Sequence, residues 1–266
     1  MDQRLRARAG AALRIGLGIG TLFLLLGAPW PAALGSEDIE FTDPPTGSQL
    51  RSLTRELGVS LCPVALTPAE PLGTLRTDVS ASATGTKIDG GAEFWRIASD
   101  GEKQSGYFVL ARARFRLGLP FGIDAGASYG RAPGTNVGAV GGEISWAFIR
   151  GGSLVPALAV RLAHSRMRGV DQMDLKATAL DLSISKGFAF LTPYAGIGQI
   201  WLSSEVHDIQ AAKGFSLDSS PQLGRVFVGA RFSAAWLRTI VEAQRADGID
   251  SYSVKLGITI PSLPRL

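Results

Sequence analysis

Beyond residue 75 the chain repeatedly alternates apolar and polar residues with a period of two, in runs interrupted by glycine, proline and charged residues. In 107–117, positions Tyr107, Val109, Ala111, Ala113, Phe115 and Leu117 are apolar or aromatic, and Arg112, Arg114 and Arg116 fall between them. Side chains along a strand point to opposite faces in turn. This run therefore carries one apolar face and one face with three guanidinium groups, with Phe108 and Leu110 at the start of the arginine face. The same alternation runs through 75–84, 121–130, 138–149, 154–165, 173–185, 225–234 and 252–260. Two segments are less regular: 191–203 has no clearly polar face, and in 238–246 Ile240 falls on the polar side. Together they predict an all-β chain of about ten strands, an even count that suits an antiparallel transmembrane β-barrel.

A soluble sandwich or barrel would bury the apolar faces and leave the arginines in water. A membrane barrel would turn the apolar faces to lipid and the arginines to the lumen. The connections favour the second. Short ones, Leu119-Pro120, 150–153, 187–190 and the passage near Trp236, alternate with longer or more polar ones at 85–106, 131–134, 166–172, 204–222 and 246–249. Short periplasmic turns and longer external loops characterise outer-membrane barrels. Tyr107, Tyr129, Trp201 and Tyr252 fall at the expected outer ends, and Phe121, Trp146, Phe148, Phe190 and Trp236 near the inner ends. Two aromatic girdles are expected where a protein meets both membrane interfaces.

The N-terminus changes the picture by setting a compartment. Arg4, Arg6, Arg8 and Arg14 precede an apolar run from Ile15 to Ala28, and Ala33-Leu-Gly35 offers a cleavage site. That order predicts a signal peptide over 1–35 and export to the bacterial outer membrane. A membrane-spanning anchor is the weaker alternative, since the apolar core falls short of the ~20 residues that a span needs. Segment 36–74 is then a periplasmic or plug-like lead into the barrel, 75–266. Leu50, Leu53 and Leu57 sit at helical spacing behind a candidate N-cap at Ser48, and Pro63, Pro68 and Pro71 enforce an extended stretch. The helix has three places open to it: the periplasmic mouth, the lumen, or the periplasmic surface.

The lumen-facing set expected from the pattern is Arg76, Arg112, Arg114, Arg116, Arg161, Arg225, Arg231 and Lys255, with Asp78, Asp124, Glu143, Asp181 and Glu242. A barrel of about this size is only slightly wider than the eight-stranded kind, which side chains fill. One reading is a salt-bridged, occluded lumen, since buried ions must pair. The other is a narrow anion-preferring path, for which Gly122, Gly126 and Gly130 leave room on one wall.

The formal charge of +4 and the absence of a basic run with interleaved aromatics give no sign of a nucleic-acid partner. The single Cys62 excludes an intramolecular disulfide and a cysteine metal cluster. No cofactor motif appears. Candidate chemistry is thin: His164-Ser165 would point to opposite faces, and Glu205, His207 and Asp208 lie in a polar loop. Lys103, Arg131, Arg166, Arg168 and Lys213 offer external charge to lipopolysaccharide phosphates.

The segments Pro68–Gly73, Gly118–Gly126, Gly169–Leu175, Leu180–Gly198 and the closing run Tyr252–Gly257 resemble an uncharacterised family of proteobacterial exported proteins. The likeness runs from about Leu57 to Ile260. It implies an outer-membrane barrel matured by the barrel-assembly machinery and embedded among outer-membrane lipid and lipopolysaccharide; it carries no catalytic residue or ligand. One departure is that Ile260 stands where such barrels usually end on an aromatic, with 261–266 beyond it. The function expected is a small outer-membrane barrel with a structural or envelope-interaction role. The alternatives are a narrow anion channel and, less favoured, a lipid-modifying enzyme.

Overall fold

The computed structural model describes residues 38–41, 43–152, 154–207, 216–234 and 236–260. The expected signal peptide 1–35, Asp208, Lys213 and the tail 261–266 lie outside them. Eleven strands follow in chain order: β1 Thr77–Lys87, β2 Tyr107–Gly118, β3 Ile123–Arg131, β4 Gly138–Arg150, β5 Ala157–Arg168, β6 Met173–Ser185, β7 Leu191–His207, β8 Ser216–Ser219, β9 Gln222–Ala234, β10 Leu237–Ala246 and β11 Ile249–Ile260. A helix, α1 (Gly47–Leu61), precedes them, and a short one, α2 (Glu93–Ile97), lies between β1 and β2.

All neighbours pair antiparallel in chain order, except that β7 passes to β9. Pairing of β1 with β11, from Thr77 opposite Ile260 to Thr86 opposite Ser251, closes the ring. The four-residue β8 pairs only with the end of β7, beyond the ring. The result is a closed ten-stranded antiparallel barrel with no free sheet edge inside it.

Its short turns gather at one end, where β1 starts and β11 finishes, and the longer connections gather at the other. At this loop end the connection after β10 falls at 246–249, where the sequence places it. It is a two-residue turn, Asp247-Gly248, with both φ angles positive (42° and 89°), the hairpin geometry that Asp-Gly favours. The 88–106 connection holds α2, whose five residues are too few to show helical periodicity. A bulge in β4 between Ala147 and Ile149 breaks alternation and leaves Phe148 and Ile149 both outside.

Burial runs inside out relative to a soluble barrel. Phe115, Leu162, Leu180, Leu182, Ile184, Ile197, Val226, Val228 and Val254 are exposed on the outer wall. Arg112, Arg114 and Arg116 are only 4%, 6% and 5% exposed. Arginines left in water on a soluble sandwich are therefore not what this fold shows.

Inside the ring lies the segment that precedes β1. Helix α1 starts with a capping box in which the Thr46 hydroxyl accepts from Gln49 N–H and the Gln49 side chain accepts from Thr46 N–H. The helix touches β1, β2, β5, β6, β7 and β11, strands from all around the barrel. Leu50, Leu53, Leu57 and Leu61 pack with Phe108, Leu110, Met167, Met173, Leu175 and Trp95. On another side Val59 and Cys62 meet Ala177, Ala179, Ile200, Leu202 and Leu223. The irregularity of β7 and β10 now has a cause. Ile200, Leu202 and Ile240 face inward because apolar residues of this inner segment, not water or ions, oppose them.

Candidate functional site: the charged lumen

Residues 62–72 continue from α1 as a strap toward the turn end. Pro63, Pro68 and Pro71 supply no N–H, and the strap pairs with no strand, so its carbonyls need donors from elsewhere. The inward arginines provide them. Arg112 and the Ser165 hydroxyl both donate to Leu61 O, the latter at 2.9 Å. Arg161 Nη2 donates to Pro63 O and Val64 O at 3.2 Å each, and Arg225 Nη1 to Pro63 O at 3.4 Å. Arg114 Nη2 reaches Ala65 O at 3.2 Å, and Arg116 Nη1 reaches the Thr67 hydroxyl at 2.6 Å.

The barrel's acids answer the strap's donors and the same arginines. Leu66 sits at φ 45°, in the left-handed region uncommon for leucine, and its N–H donates to Glu242 Oε2 at 2.8 Å. Tyr194 Oη donates to the same oxygen at 2.6 Å. Leu72 N–H lies 3.1 Å from both oxygens of Asp124, which also accepts from Arg116 at 3.0 Å. Glu143 stands among three arginines: Arg114 at 3.0 Å, Arg116 at 3.2 Å and Arg161 at 2.7 Å. Asp181 accepts from Arg161 at 2.8 Å and from Arg225 Nε at 2.7 Å. Lys255 pairs with Asp78 at 2.9 Å, and Arg231 with Glu70 of the strap at 2.6 Å.

The pairing is what burial demands, because an ion removed from water without partners is expensive. Two cavities beside the strap measure about 10 and 30 Å³. A water needs about 10–15 Å³ on this measure, so they have room for one or two waters.

Every expected lumen residue except Arg76 faces this interior. Arg76 is exposed in the turn ahead of β1, because the strand begins at Thr77 rather than at residue 75. The glycine wall differs from expectation too. Gly122 belongs to the turn after β2, with φ 80°. A Cβ on Gly126 or Gly130 would come within 2.9 Å of Arg116 Cγ or 2.8 Å of Arg112 Cγ. The space these glycines leave is filled by arginine stems. Phe108 and Leu110 pack within the lumen: Trp95 stacks on Phe108 with ring centroids 6.3 Å apart, and the α1 leucines cover the rest.

The histidine candidates do not assemble a catalytic group among the described residues. His164 lies on the outer wall, 2.9 Å from the Thr178 hydroxyl, while Ser165 points inside to Leu61. Glu205 faces Asp218 across the β7–β8 hairpin and accepts from the Ser216 hydroxyl at 3.2 Å. No group of three metal-ligating side chains occurs among the described residues. At the loop end Lys103, Arg131 and Arg168 are exposed, and Arg166 pairs with Asp174 at 2.8 Å.

The Cys62 thiol is fully enclosed beneath Arg225, whose Nη1 lies 3.7 Å from its Sγ. The Glu56 carboxylate of α1 accepts from Trp95 Nε1 at 2.6 Å and from Asp89 N–H at 3.1 Å.

Sequence reasoning named the barrel charges but not their strap partners, the carbonyls of 61–65, Thr67 and Glu70. Three prolines within a short polar-poor stretch were the available signal, since they leave acceptors in excess of donors.

No protein-family model and no curated protein matches this chain, so the family resemblance rests on the residues quoted for it. Solved structures similar to it include the N-terminal β-barrel domain of Pseudomonas aeruginosa OprF, at 10% identity over 71% of this chain and 99% of that one, with a TM-score of 0.35. Ail, the attachment invasion locus protein of Yersinia pestis, matches at 11% identity, over 70% and 99%, with a TM-score of 0.36. Neisserial surface protein A matches at 10%, over 69% and 96%, with a TM-score of 0.32. At these distances nothing further is carried from them to this chain.

Proposed function

We propose that this protein is a small outer-membrane barrel whose lumen is occluded by residues 47–72, with a structural or envelope-interaction role. The observation that carries the reading is the outer wall. On β2 the outward positions from Tyr107 to Leu117 are all apolar or aromatic. Ten residue steps span about 33 Å along a strand, or about 25 Å along the axis at a tilt of about 40°, the height of a membrane barrel's apolar band. Exposed Tyr107, Tyr129, Trp201 and Tyr252 ring the loop end, and exposed Phe121, Trp146, Phe148, Phe190 and Trp236 ring the turn end. A soluble protein has no use for so large an apolar surface. Membrane placement directs the short turns to the periplasm and sets Lys103, Arg131 and Arg168 within reach of lipopolysaccharide phosphates. Assembly then depends on the machinery that inserts outer-membrane barrels.

The test is single-channel recording of the refolded chain without its signal segment, with heat-modifiable gel mobility as proof of a closed barrel. A folded, electrically silent protein is expected. Discrete conductance steps in the intact protein would overturn the occluded reading.

A second reading, an anion path, is favoured by one observation: the inward cations outnumber the inward acids. Arg112 has no carboxylate within ion-pairing distance among the described residues and is bound to a strap carbonyl instead. Displacing the strap would leave an electropositive passage.

A further inference from the structure

The strap and helix trace a path with a direction. At the loop end Asn136, in the β3–β4 connection, accepts from Ile39 N–H and donates to Ile39 O, both at 3.0 Å. Gln172, in the β5–β6 connection, accepts from Phe41 N–H at 2.6 Å, and Glu40 N–H donates to Ala98 O, just after α2, at 2.9 Å. Ile39 and Phe41 are buried among these loops. Further down, Leu61 meets Arg112 near the middle of β2 and Ser165 in the loop-side half of β5. At the turn end Leu72 meets Asp124 at the start of β3, Glu70 meets Arg231 near the end of β9, and Leu75 N–H donates to Gly118 O at the end of β2 at 2.7 Å. Loop end, middle and turn end are visited in sequence order.

Length permits a full crossing. Fifteen helical residues rise about 22 Å, and the extended stretch to Leu72 adds about 33 Å, more than the apolar band requires. We infer that the chain crosses the membrane an eleventh time, through its own lumen. The N-terminal part of the segment before β1, around Ile39 and Phe41, then stands on the same side as the long loops, opposite the turns where β1 begins and β11 ends. The arginine ladder is, in this account, a binding site for an extended polypeptide main chain. Its guanidinium groups take carbonyl oxygens, which every residue has, and Glu242 and Asp124 take the N–H groups of Leu66 and Leu72. The occupant is the protein's own residues 61–72. This inference rests on the membrane reading above, but it makes a separate claim: residues 38–48 and Lys103 share one face, and the short turns hold the other. The outer surface then includes Asp38, Glu40 and Asp43, all exposed, as an acidic rim contributed by the N-terminal side of the chain.

Cysteine labelling with a membrane-impermeant maleimide tests it in whole cells. Buried Cys62 serves as a silent background. Three variants are compared: Ser48→Cys at the exposed start of α1, Lys103→Cys in the long loop, and Gly152→Cys in a short turn with open space around it. Asp43→Cys provides a second reporter of the N-terminal side should Ser48→Cys disturb the cap. Ser48→Cys and Lys103→Cys are expected to label in intact cells, and Gly152→Cys only after the outer membrane is permeabilised. Ser48→Cys and Asp43→Cys labelling together with Gly152→Cys, against Lys103→Cys, would overturn the crossing and leave the membrane barrel standing. If Lys103→Cys and Gly152→Cys exchange sides and Ser48→Cys follows Lys103→Cys, the crossing holds and only the barrel's orientation is reversed. If all variants label alike, the barrel separates no two compartments, and both the crossing and the membrane reading fail.

Discussion

Replacing Glu143 by glutamine tests whether the lumen is as dry as its pairing implies. The carboxylate lies 3.0, 3.2 and 2.7 Å from Arg114, Arg116 and Arg161, and its side chain is 9% exposed. Glu143→Gln keeps the shape and leaves three buried guanidinium groups with one anion fewer. Breaking a buried ion pair by removing one partner costs about 3–5 kcal/mol, because the remaining charge is left uncompensated. The retained bonds of Arg114 to Ala65 O and of Arg161 to Asp181 and the strap place the expected loss at the lower end, about 3 kcal/mol, a factor of roughly 150 in the unfolding equilibrium. The protein contains its own control. Arg166–Asp174 has a comparable 2.8 Å separation, but its side chains are 43% and 44% exposed. Solvent screening holds such a pair to about 1 kcal/mol or less. Urea titrations of refolded wild type, Glu143→Gln and Asp174→Asn, read by heat-modifiable mobility and tryptophan fluorescence, compare the two directly. Equal losses in the two variants would mean that water reaches Glu143 and that the occluded lumen is wrong.

Four further outcomes are expected. Deleting residues 47–66 should open anion-biased conductance that falls when Arg112, Arg114 and Arg116 are neutralised; a barrel that folds and stays silent without the segment would remove the anion-path reading. Cys62 should resist alkylation in the folded barrel near neutral pH, since its complete burial blocks access, and should react in denaturant; native-state labelling would show that the strap leaves the lumen. Gly58→Ala places a Cβ 2.5 Å from Leu202 Cδ1 and should destabilise by about 1–3 kcal/mol, partly relieved in a Leu202→Ala background; an unrelieved loss would point to the helix backbone instead. Glu56→Ala removes the acceptor that Trp95 Nε1 and Asp89 N–H share and should destabilise by about 1–3 kcal/mol in the same urea titration, since donors are left unsatisfied; an unchanged midpoint would show that both donors reach water.

Apart from β7 and β10, whose inward faces are partly apolar, the ring strands were legible because each has to satisfy two environments at once. On β2, β5, β6 and β9, a period of two separates Phe115, Leu162, Leu182 and Val228 from Arg116, Arg161, Asp181 and Arg225, and no knowledge of neighbours is needed to see it. The Asp247-Gly248 turn follows from local φ preferences, whereas Phe121 and Ala189 take positive φ in the short turns against theirs. The apolar wall and the aromatic ends belong to the same class of information, set by the chain's relation to its surroundings.

What surrounds the inward face is a different matter. Helix α1 has leucines at helical spacing, which says that it buries one side, but a mouth, a surface and a lumen all offer something to bury against. Only the closed ring shows that the partners are Phe108 and Leu110 of β2 together with Met167 of β5 and Met173 and Leu175 of β6, strands distant in sequence from β2 and from the helix. The inward charges show the same limit. Alternation assigns Arg112 and Arg161 to the interior, yet whether an interior arginine lines a path or closes one depends on its acceptor. Those acceptors are Leu61, Pro63 and Val64, main-chain oxygens about 50 and 100 residues away, and the prolines that leave them in excess do not say which arginine takes them. Periodicity is a local consequence of strand geometry and is written in consecutive residues. Which segment fills a barrel is a long-range packing outcome, decided when burial of α1 and satisfaction of the strap's carbonyls are met together in one closed space.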